Sequence, residues 1–398
     1  MAADEQLIAA GTTPARAPLW RDAKIRSLFY QALTLILLAA GIGYLAYNTV
    51  TNLEQRGIAS GFRFLEHPTG FGVLFTLIEY SEASTYGRAY IVGIVNTLFV
   101  SAIGVVLATI LGVTMGVARL SSNWLVAKLA TVYVEVVRNI PLLLQILFWY
   151  GVFQQLPSLR QSVNFGDAIF INLRGIYLPR PIFESGAEWI LAALIVGILA
   201  TIGMTKWAHR RQDLTGQQFP LFQASVALIV GLPVLAALVT GLPVSFDYPE
   251  LKGFNFRGGM VILPELMALA LALTVYTAAF IAEAVRAGIQ AVSRGQTEAS
   301  YSLGLRPGPT LRLVVFPQAL RVILPPLTSQ YLNLTKNSSL APAIAYPDLV
   351  HIFAGTVLNQ TGQAVECIVL TMAVYFTISL LISAFMNWYN RRIALVER

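Results

Sequence analysis

Long apolar runs constrain this chain of 398 residues more than any other feature. Charged residues make up 12% of the sequence, against roughly a quarter in soluble domains. A helix needs about 20 largely apolar residues to cross a bilayer, and eight segments reach or approach that length. The sequence therefore predicts an all-α integral membrane protein with about eight transmembrane helices, over residues 29–50, 90–118, 140–150, 188–205, 219–242, 260–283, 319–340 and 365–388.

Two of these spans carry signs of how they are built. Gly112 and Gly116 have the small-x-x-x-small spacing that lets two membrane helices approach closely. Residues 124–139 fit an amphipathic surface helix, after which Pro141 suits the first turn of the helix that enters the bilayer. In the seventh span, the pair Pro325-Pro326 predicts an interruption of the helix.

Basic residues set the orientation of the spans. They concentrate in the segment 1–28, in the segment 286–317 and in the tail 389–398, and segments rich in Lys and Arg stay in the cytoplasm. Both termini and the 286–317 loop are therefore predicted to be cytoplasmic. The run at 29–50 is too long for the core of a signal peptide, so we expect it to be retained as a first span.

The remaining composition excludes several classes of protein. The single Cys367 allows no internal disulfide, the three histidines are scattered, and the dipeptide Gly-Lys of phosphate-binding loops does not occur. We expect no metal site, no catalytic residues and no nucleotide on this chain. The net charge of +7 lies beside apolar spans, which favours contact with anionic membrane lipid over nucleic acid.

The polar loop 286–317 is much longer than a connection between two helices needs. We expect a short helix over 296–303, with Glu298 in its first turn near the positive end of the helix dipole. Gly304 is placed to end this helix in the left-handed conformation. Its small or apolar residues, Ala299, Leu303 and Leu305, would form a docking surface for another protein.

The loop resembles the signature of permease subunits of ABC importers. That signature is Glu-Ala-Ala, three residues, Gly, nine residues, Ile, one residue and Leu-Pro. This chain has Glu298-Ala299-Ser300, then Gly304, Val314 and Phe316-Pro317 at the same spacing, with Ser300 where the signature has alanine. The resemblance implies that the helix is a coupling helix, which fits a groove in a separate ATPase subunit.

Other stretches resemble the polar amino-acid branch of that family. They are Asn96-Thr97-Leu98, residues 134–143, Pro317-Gln318-Ala319-Leu320-Arg321 and Lys336-Asn337-Ser338-Ser339-Leu340. The resemblance implies a type-1 transmembrane domain over 90–388 with a five-helix core. Residues 29–50 would be an additional first helix and residues 158–257 an inserted helical pair, as in the larger permeases of general L-amino-acid systems.

The same resemblance implies a function and a set of partners. The chain would form the path for polar or general L-amino acids across the bacterial inner membrane. Its partners would be an ABC ATPase dimer, a second permease subunit (identical or related) and a periplasmic amino-acid-binding protein. ATP and Mg²⁺ would bind to the partner ATPase and not to this chain.

Four polar residues within spans are candidates for contact with substrate: Lys336, Asn96, Thr274 and Thr277. An ionisable group at membrane depth is a functional candidate, although Lys336 is also placed to extend its amine to the interface. Glu135 and Arg138 are three residues apart on one helix face and could pair. The alternatives for them are an anchor at the membrane interface and a gate.

Two other functions compete with the importer permease. A self-sufficient, ion-coupled secondary transporter would be expected to show an inverted repeat and carboxylates inside spans. A membrane enzyme would need polar catalytic groups clustered at one depth. The sequence shows neither pattern by inspection.

Overall fold

The computed structural model describes residues 23–55 and 61–393. Most of them are helical, as predicted. The predicted tail 1–28 lies largely outside the described residues, as do the last five residues of the tail 389–398. The helices are α1 (Ala23–Gln55), α2 (Tyr86–Ala118), α3 (Trp124–Asn139), α4 (Leu142–Gln154), α5 (Ala187–Thr215), α6 (Leu221–Val226), α7 (Leu232–Val239), α8 (Pro264–Gln290), α9 (Arg294–Ser302), α10 (Pro307–Thr310), α11 (Phe316–Asn337), α12 (Leu358–Thr361) and α13 (Ala364–Ile393).

The number of spans agrees with the prediction. Seven stretches in the described part of the chain are long and apolar enough to cross a membrane, and a bent pair brings the number up to eight. The bent pair is α3 and α4, whose axes differ by 107°. Pro141 lies at the bend and immediately precedes α4, so the expected break between two helices at this proline is confirmed. The placement of α3 at the membrane surface stays a prediction.

The core of the fold is built around α8. It is contacted by α2, α3, α4 and α11. Of its most apolar 18-residue stretch, 67% is buried. The predicted close approach at Gly112 and Gly116 is confirmed. A Cβ atom at Gly112 would lie 2.6 Å from Ile281, and one at Gly116 would lie 2.7 Å from the carbonyl oxygen of Ala282.

Helix α11 corrects one prediction. Pro325 and Pro326 lie inside a continuous helix and do not interrupt it. A proline removes one backbone N–H donor, and both prolines are on the exposed side of α11. Membrane helices tolerate proline where neighbouring groups or water can satisfy the backbone, which explains why the helix continues.

Two segments outside the spans contain short strands that the sequence analysis did not predict. Before α5 lie β1 (Val163–Phe165), β2 (Ile169–Asn172), β3 (Gly175–Leu178) and β4 (Arg180–Phe183), and after α7 lie β5 (Val244–Asp247), β6 (Glu250–Lys252), β7 (Asn255–Arg257) and β8 (Met260–Ile262). The antiparallel pairs β3–β8 and β4–β5 join the two segments. These strands form a small cap at the N-terminal ends of α5 and α8 and the C-terminal end of α7.

Helices α5 to α7 pack very differently from the core. Only 6% of the most apolar 18-residue stretch of α5 is buried. Helices α6 and α7 are joined by a π-helical turn at Ala227–Gly231, and none of their most apolar stretch is buried. Helix α1 is also exposed along its apolar window. These helices present their apolar side chains outward, as expected for surfaces covered by lipid or by other membrane helices.

Candidate functional site

The signature loop folds as a short helix held against the start of α11. Helix α9 runs from Arg294 to Ser302, so it begins two residues earlier than predicted and Glu298 lies beyond its first turn, contrary to the expectation. The N–H of Gly304 donates to the carbonyl oxygen of Tyr301 at 2.9 Å, and Gly304 has φ +79°. The predicted left-handed end of the helix is confirmed.

Ser300, the residue that departs from the signature, has a specific place in this loop. It is buried, and its hydroxyl donates to the carbonyl oxygen of Thr297 at 2.8 Å and lies 3.1 Å from Oγ1 of Thr310, within hydrogen-bond distance. Thr310 is also buried. Because Thr310 belongs to α10, the serine joins the signature helix to the segment that leads into α11. Alanine could not form this bond.

The opposite side of α9 is open. Glu298 and Ala299 are exposed, and Leu303 has 83% of its surface accessible. Leu305 is half-buried. Pro317 lies at the start of α11, directly after a π-helical turn at Leu311–Val315. The loop therefore presents a small, partly apolar face on a base fixed by buried hydroxyl groups.

A charged cluster lies where α8 approaches this loop. Glu283 of α8 accepts hydrogen bonds from Arg119, at the end of α2, and from Arg286, one turn further along α8. The three side chains are only 12–29% exposed. Sequence analysis did not identify Arg119, because its pairing with a carboxylate 164 positions away leaves no local pattern.

The four candidates for substrate contact lie in different environments. Asn96 is fully buried, and its side-chain amide donates to the carbonyl oxygens of Phe75 and Pro347. Thr274 and Thr277 are buried within α8. Lys336 is exposed near the end of α11. The structure does not bring these four side chains together, and their contact with substrate stays a prediction.

Glu135 and Arg138 do not pair. The ion pairs found within residues 23–55 and 61–393 do not include them. Both side chains are exposed, and the Arg138 guanidinium lies over the ring of Phe280 with 5.0 Å between its carbon and the ring centroid. Arg138 therefore faces α8 through an aromatic ring and leaves its charge without an acidic partner among the described residues.

Helix α11 carries an exposed polar stripe. Its polar members are Ser329, Asn333 and Lys336, which recur every three or four residues, the spacing of one helix face. Exposed Pro326 lies at one end of the stripe, and Gln330 is half-buried beside it. The exposed face of α13, by contrast, contains Met372, Phe376 and Leu380. Polar residues within spans face the interior of a bundle or water, so the α11 stripe is unsuited to lipid.

Two cavities also differ in the polarity of their linings. A groove of about 650 Å³ between α2 and α13 has an almost entirely apolar lining and contains no charged residue. A smaller cavity of about 290 Å³ lies between α3, α8 and α11 and includes Arg138, Phe280, Glu283 and Gln330. No group of His, Cys, Asp and Glu able to hold a metal ion occurs in the part of the chain that the structure describes.

Comparison with known proteins identifies the family. Residues 104–395 match the family described as "Binding-protein-dependent transport system inner membrane component". The general L-amino acid transport system permease protein AapQ of Rhizobium johnstonii is 52% identical, over 98% of this chain and 99% of its own length. The glutamate/glutamine/aspartate/asparagine transport system permease protein BztB of Rhodobacter capsulatus is 46% identical, over 95% and 96%.

The chain is similar to a crystal structure of an amino acid ABC transporter with histidines, at 21% identity, over 77% of this chain and 95% of that chain, with a TM-score of 0.45. The resemblance inferred from the signature loop is confirmed by the family match and by the full-length relatives. The chain belongs to the family of inner-membrane components of binding-protein-dependent transport systems.

Proposed function

We propose that this chain is the permease subunit of an ATP-driven importer of polar or general L-amino acids. Family membership makes it a membrane transport component, and the names of its full-length relatives support amino acids as the substrate class. Family membership also favours the ATP-driven importer over a self-sufficient, ion-coupled transporter.

The exposed face of α9 is the observation that carries this proposal. Leu303 is 83% exposed on a helix whose other side is fixed by the Ser300–Thr310 bond. A large apolar side chain held outward on a rigid base suits docking into a groove of another protein. We assign that groove to a separate ATPase, which would bind the ATP and Mg²⁺, and we place α9 and both termini in the cytoplasm.

Movement of α9 would reach the spans through two connections. The Ser300–Thr310 bond leads into α11, and Glu283 joins α8 to the end of α2 through Arg119. Closure of the ATPase on ATP would then favour one arrangement of the spans over the other, because ATP binds the two states with different affinity.

The translocation path would run along the polar stripe of α11. That stripe needs a polar or aqueous surface opposite it, and a second permease subunit, identical or related, would supply it. On the other side of the membrane, the cap of short strands is placed to meet a periplasmic binding protein. We also propose that residues 29–50 and 158–257 are additions to a five-helix core, since α1, α5 and α7 are largely exposed.

Co-purification tests the docking assignment. Leu303→Asp places a charge on the proposed docking face, and we expect it to abolish recovery of the ATPase with tagged permease in mild detergent. Leu214→Asp is the matched control, because Leu214 is 86% exposed at the end of α5. Equal recovery of ATPase with both variants would contradict the assignment.

A further inference from the structure

We infer that the cavity between α3, α8 and α11 is a binding site for the carboxylate of the transported amino acid, with Arg138 as its ligand. This inference rests on the proposed function and deepens it, because it names the chemical group that the path recognises. It is argued from the position of the cavity, its charge and its size.

The cavity lies towards the cytoplasmic end of the spans. Phe280, over which Arg138 lies, is about 24 Å from the first residue of α8 and about 15 Å from the last, at 1.5 Å per residue. An arginine beside the spans is costly in contact with lipid unless it faces water or a partner. The stack on Phe280 fixes the guanidinium by a cation–π contact and leaves its N–H donors available.

The charges around the cavity leave it positive. Glu283 is the acidic residue in its lining, and its carboxylate already accepts hydrogen bonds from both Arg119 and Arg286. These three groups together carry one positive charge, and Arg138 adds another. Arg138 forms no ion pair with the acidic residues that the structure describes. An incoming anion would therefore be attracted, and a planar carboxylate fits the fork of a guanidinium.

The size and surroundings of the cavity suit a small ligand. Its volume of about 290 Å³ lies near the lower end of ligand pockets, about 300 Å³. Gln330 contributes an amide to the lining, and Pro326 belongs both to the lining and to the exposed stripe of α11. The site thus opens onto the polar stripe, along which Ser329, Asn333 and Lys336 continue for about 15 Å from Pro326.

Uptake kinetics test this site. The permease, its ATPase and the binding protein would be reconstituted in proteoliposomes. ATP would be supplied on the side of the ATPase, and labelled L-glutamate or L-glutamine on the opposite side. For Arg138→Gln, we expect KM to rise by roughly ten- to a hundredfold, the loss expected for a charge-assisted hydrogen bond. Arg138→Lys keeps the charge without the fork, and we expect an intermediate KM.

A competition experiment separates recognition from a structural role. In the wild type we expect L-glutamine to displace labelled L-glutamine from the purified membrane complex more strongly than its α-carboxamide derivative does. This binding measurement is made without the binding protein, so that the competitors act on the membrane complex directly. Arg138→Gln should reduce this preference for the carboxylate, a change that a loss of folding would not produce. Arg160→Gln is the matched control, since Arg160 lies over the Phe254 ring at 4.9 Å in the cap, and we expect wild-type behaviour.

Each outcome is decisive. If the wild type takes up none of the labelled amino acids, the proposed function and this site both fail. If the wild type transports them and Arg138→Gln keeps both KM and the preference for the carboxylate, the site alone is overturned. The site is likewise overturned if Arg138→Gln changes only the assembly of the complex, measured by its mass in detergent, because Arg138 would then pair with a carboxylate of the second permease subunit.

Discussion

Helix α8 and helix α5 are both apolar enough to span a membrane, yet they are used differently. Of the most apolar 18-residue stretch of each helix, 67% is buried in α8 and 6% in α5. The two helices differ in what they pack against. Helix α8 meets α2 where Gly112 and Gly116 leave room for Ile281 and Val285, whereas α5 directs Trp189 and Leu199 outward. Apolar content identifies a span but does not determine how much of it is buried.

An ion pair in the core around α8 and an ion pair in the strand cap beside α5 give the largest expected contrast. Glu283→Gln in the core leaves Arg119, only 12% exposed, without a balancing charge, and we expect the free energy of unfolding to fall by about 3 kcal/mol. Glu250→Gln breaks the exposed pair with Lys252 in the cap, where we expect no measurable loss. Thermal unfolding of the purified variants in one detergent measures both. Equal stability of the two variants would contradict the distinction between core and cap.

The glycines give a second contrast. Gly112→Leu would force a side chain into Ile281 and towards the carbonyl oxygen of Ala278 at 3.0 Å, and we expect a loss of about 2 kcal/mol from overpacking. Gly203→Leu in α5 meets no other atom within 4 Å of its Cβ. Fluorescence-detected gel filtration after heating should show earlier aggregation for Gly112→Leu alone. A similar loss for Gly203→Leu would show that α5 is packed against the core in the assembly.

The stability of the fold should depend on pH through Asp348, which lies between the last two spans. Burial raises the pKa of this carboxyl to about 7, above the value of about 3.9 in unfolded chains. The folded state therefore favours the protonated form, and the stabilisation is fully present below about pH 4 and is lost as the pH rises through 7.

Asp348→Asn should remove that dependence and retain the acceptor for the N–H of His351, which lies 2.8 Å from Oδ1. Melting temperatures measured from pH 5 to 8 should fall with rising pH more steeply for the wild type than for the variant. Asp213→Asn, exposed at the end of α5, is the control and should follow the wild type. Parallel curves for wild type and Asp348→Asn would refute the assignment.

The smallest predicted effect is in the signature loop. Ser300→Ala restores the residue of the family signature and removes the bond to Thr310, so we expect a loss of about 1 kcal/mol. Thr310→Val removes the same bond from the other side. The double variant should cost less than the sum of the two single losses, because both remove one interaction. Strict additivity in a double-mutant cycle of thermal unfolding would show that the bond makes no contribution.

Sequence analysis was most successful where a feature is local. Runs of apolar residues predicted the spans, Gly304 predicted the end of α9, and the spacing of Gly112 and Gly116 predicted a close contact. The signature loop identified the family before the fold was known. Each of these features depends on residues a few positions apart, so that side-chain type and spacing contain the necessary information.

The remaining features depend on residues far apart in the chain. The strands of the cap pair across the inserted helices, and the cluster of Arg119, Glu283 and Arg286 joins two spans. The effect of Pro325 and Pro326 was mispredicted because proline was judged by its missing N–H alone, without the exposed side on which it lies. The spacing of Glu135 and Arg138 allowed a pair along one helix, whereas the structure places Arg138 on an aromatic ring of α8.

Uptake by reconstituted proteoliposomes tests the central claim, that ATP hydrolysis on a partner drives transport through α9. Wild-type permease with its ATPase and binding protein should accumulate labelled amino acids only with ATP. Glu298→Arg, a charge reversal on the exposed face of α9, should abolish both uptake and the stimulation of ATPase activity by the loaded binding protein. Undiminished coupled uptake by Glu298→Arg, or accumulation by the permease alone under an ion gradient, would contradict the account.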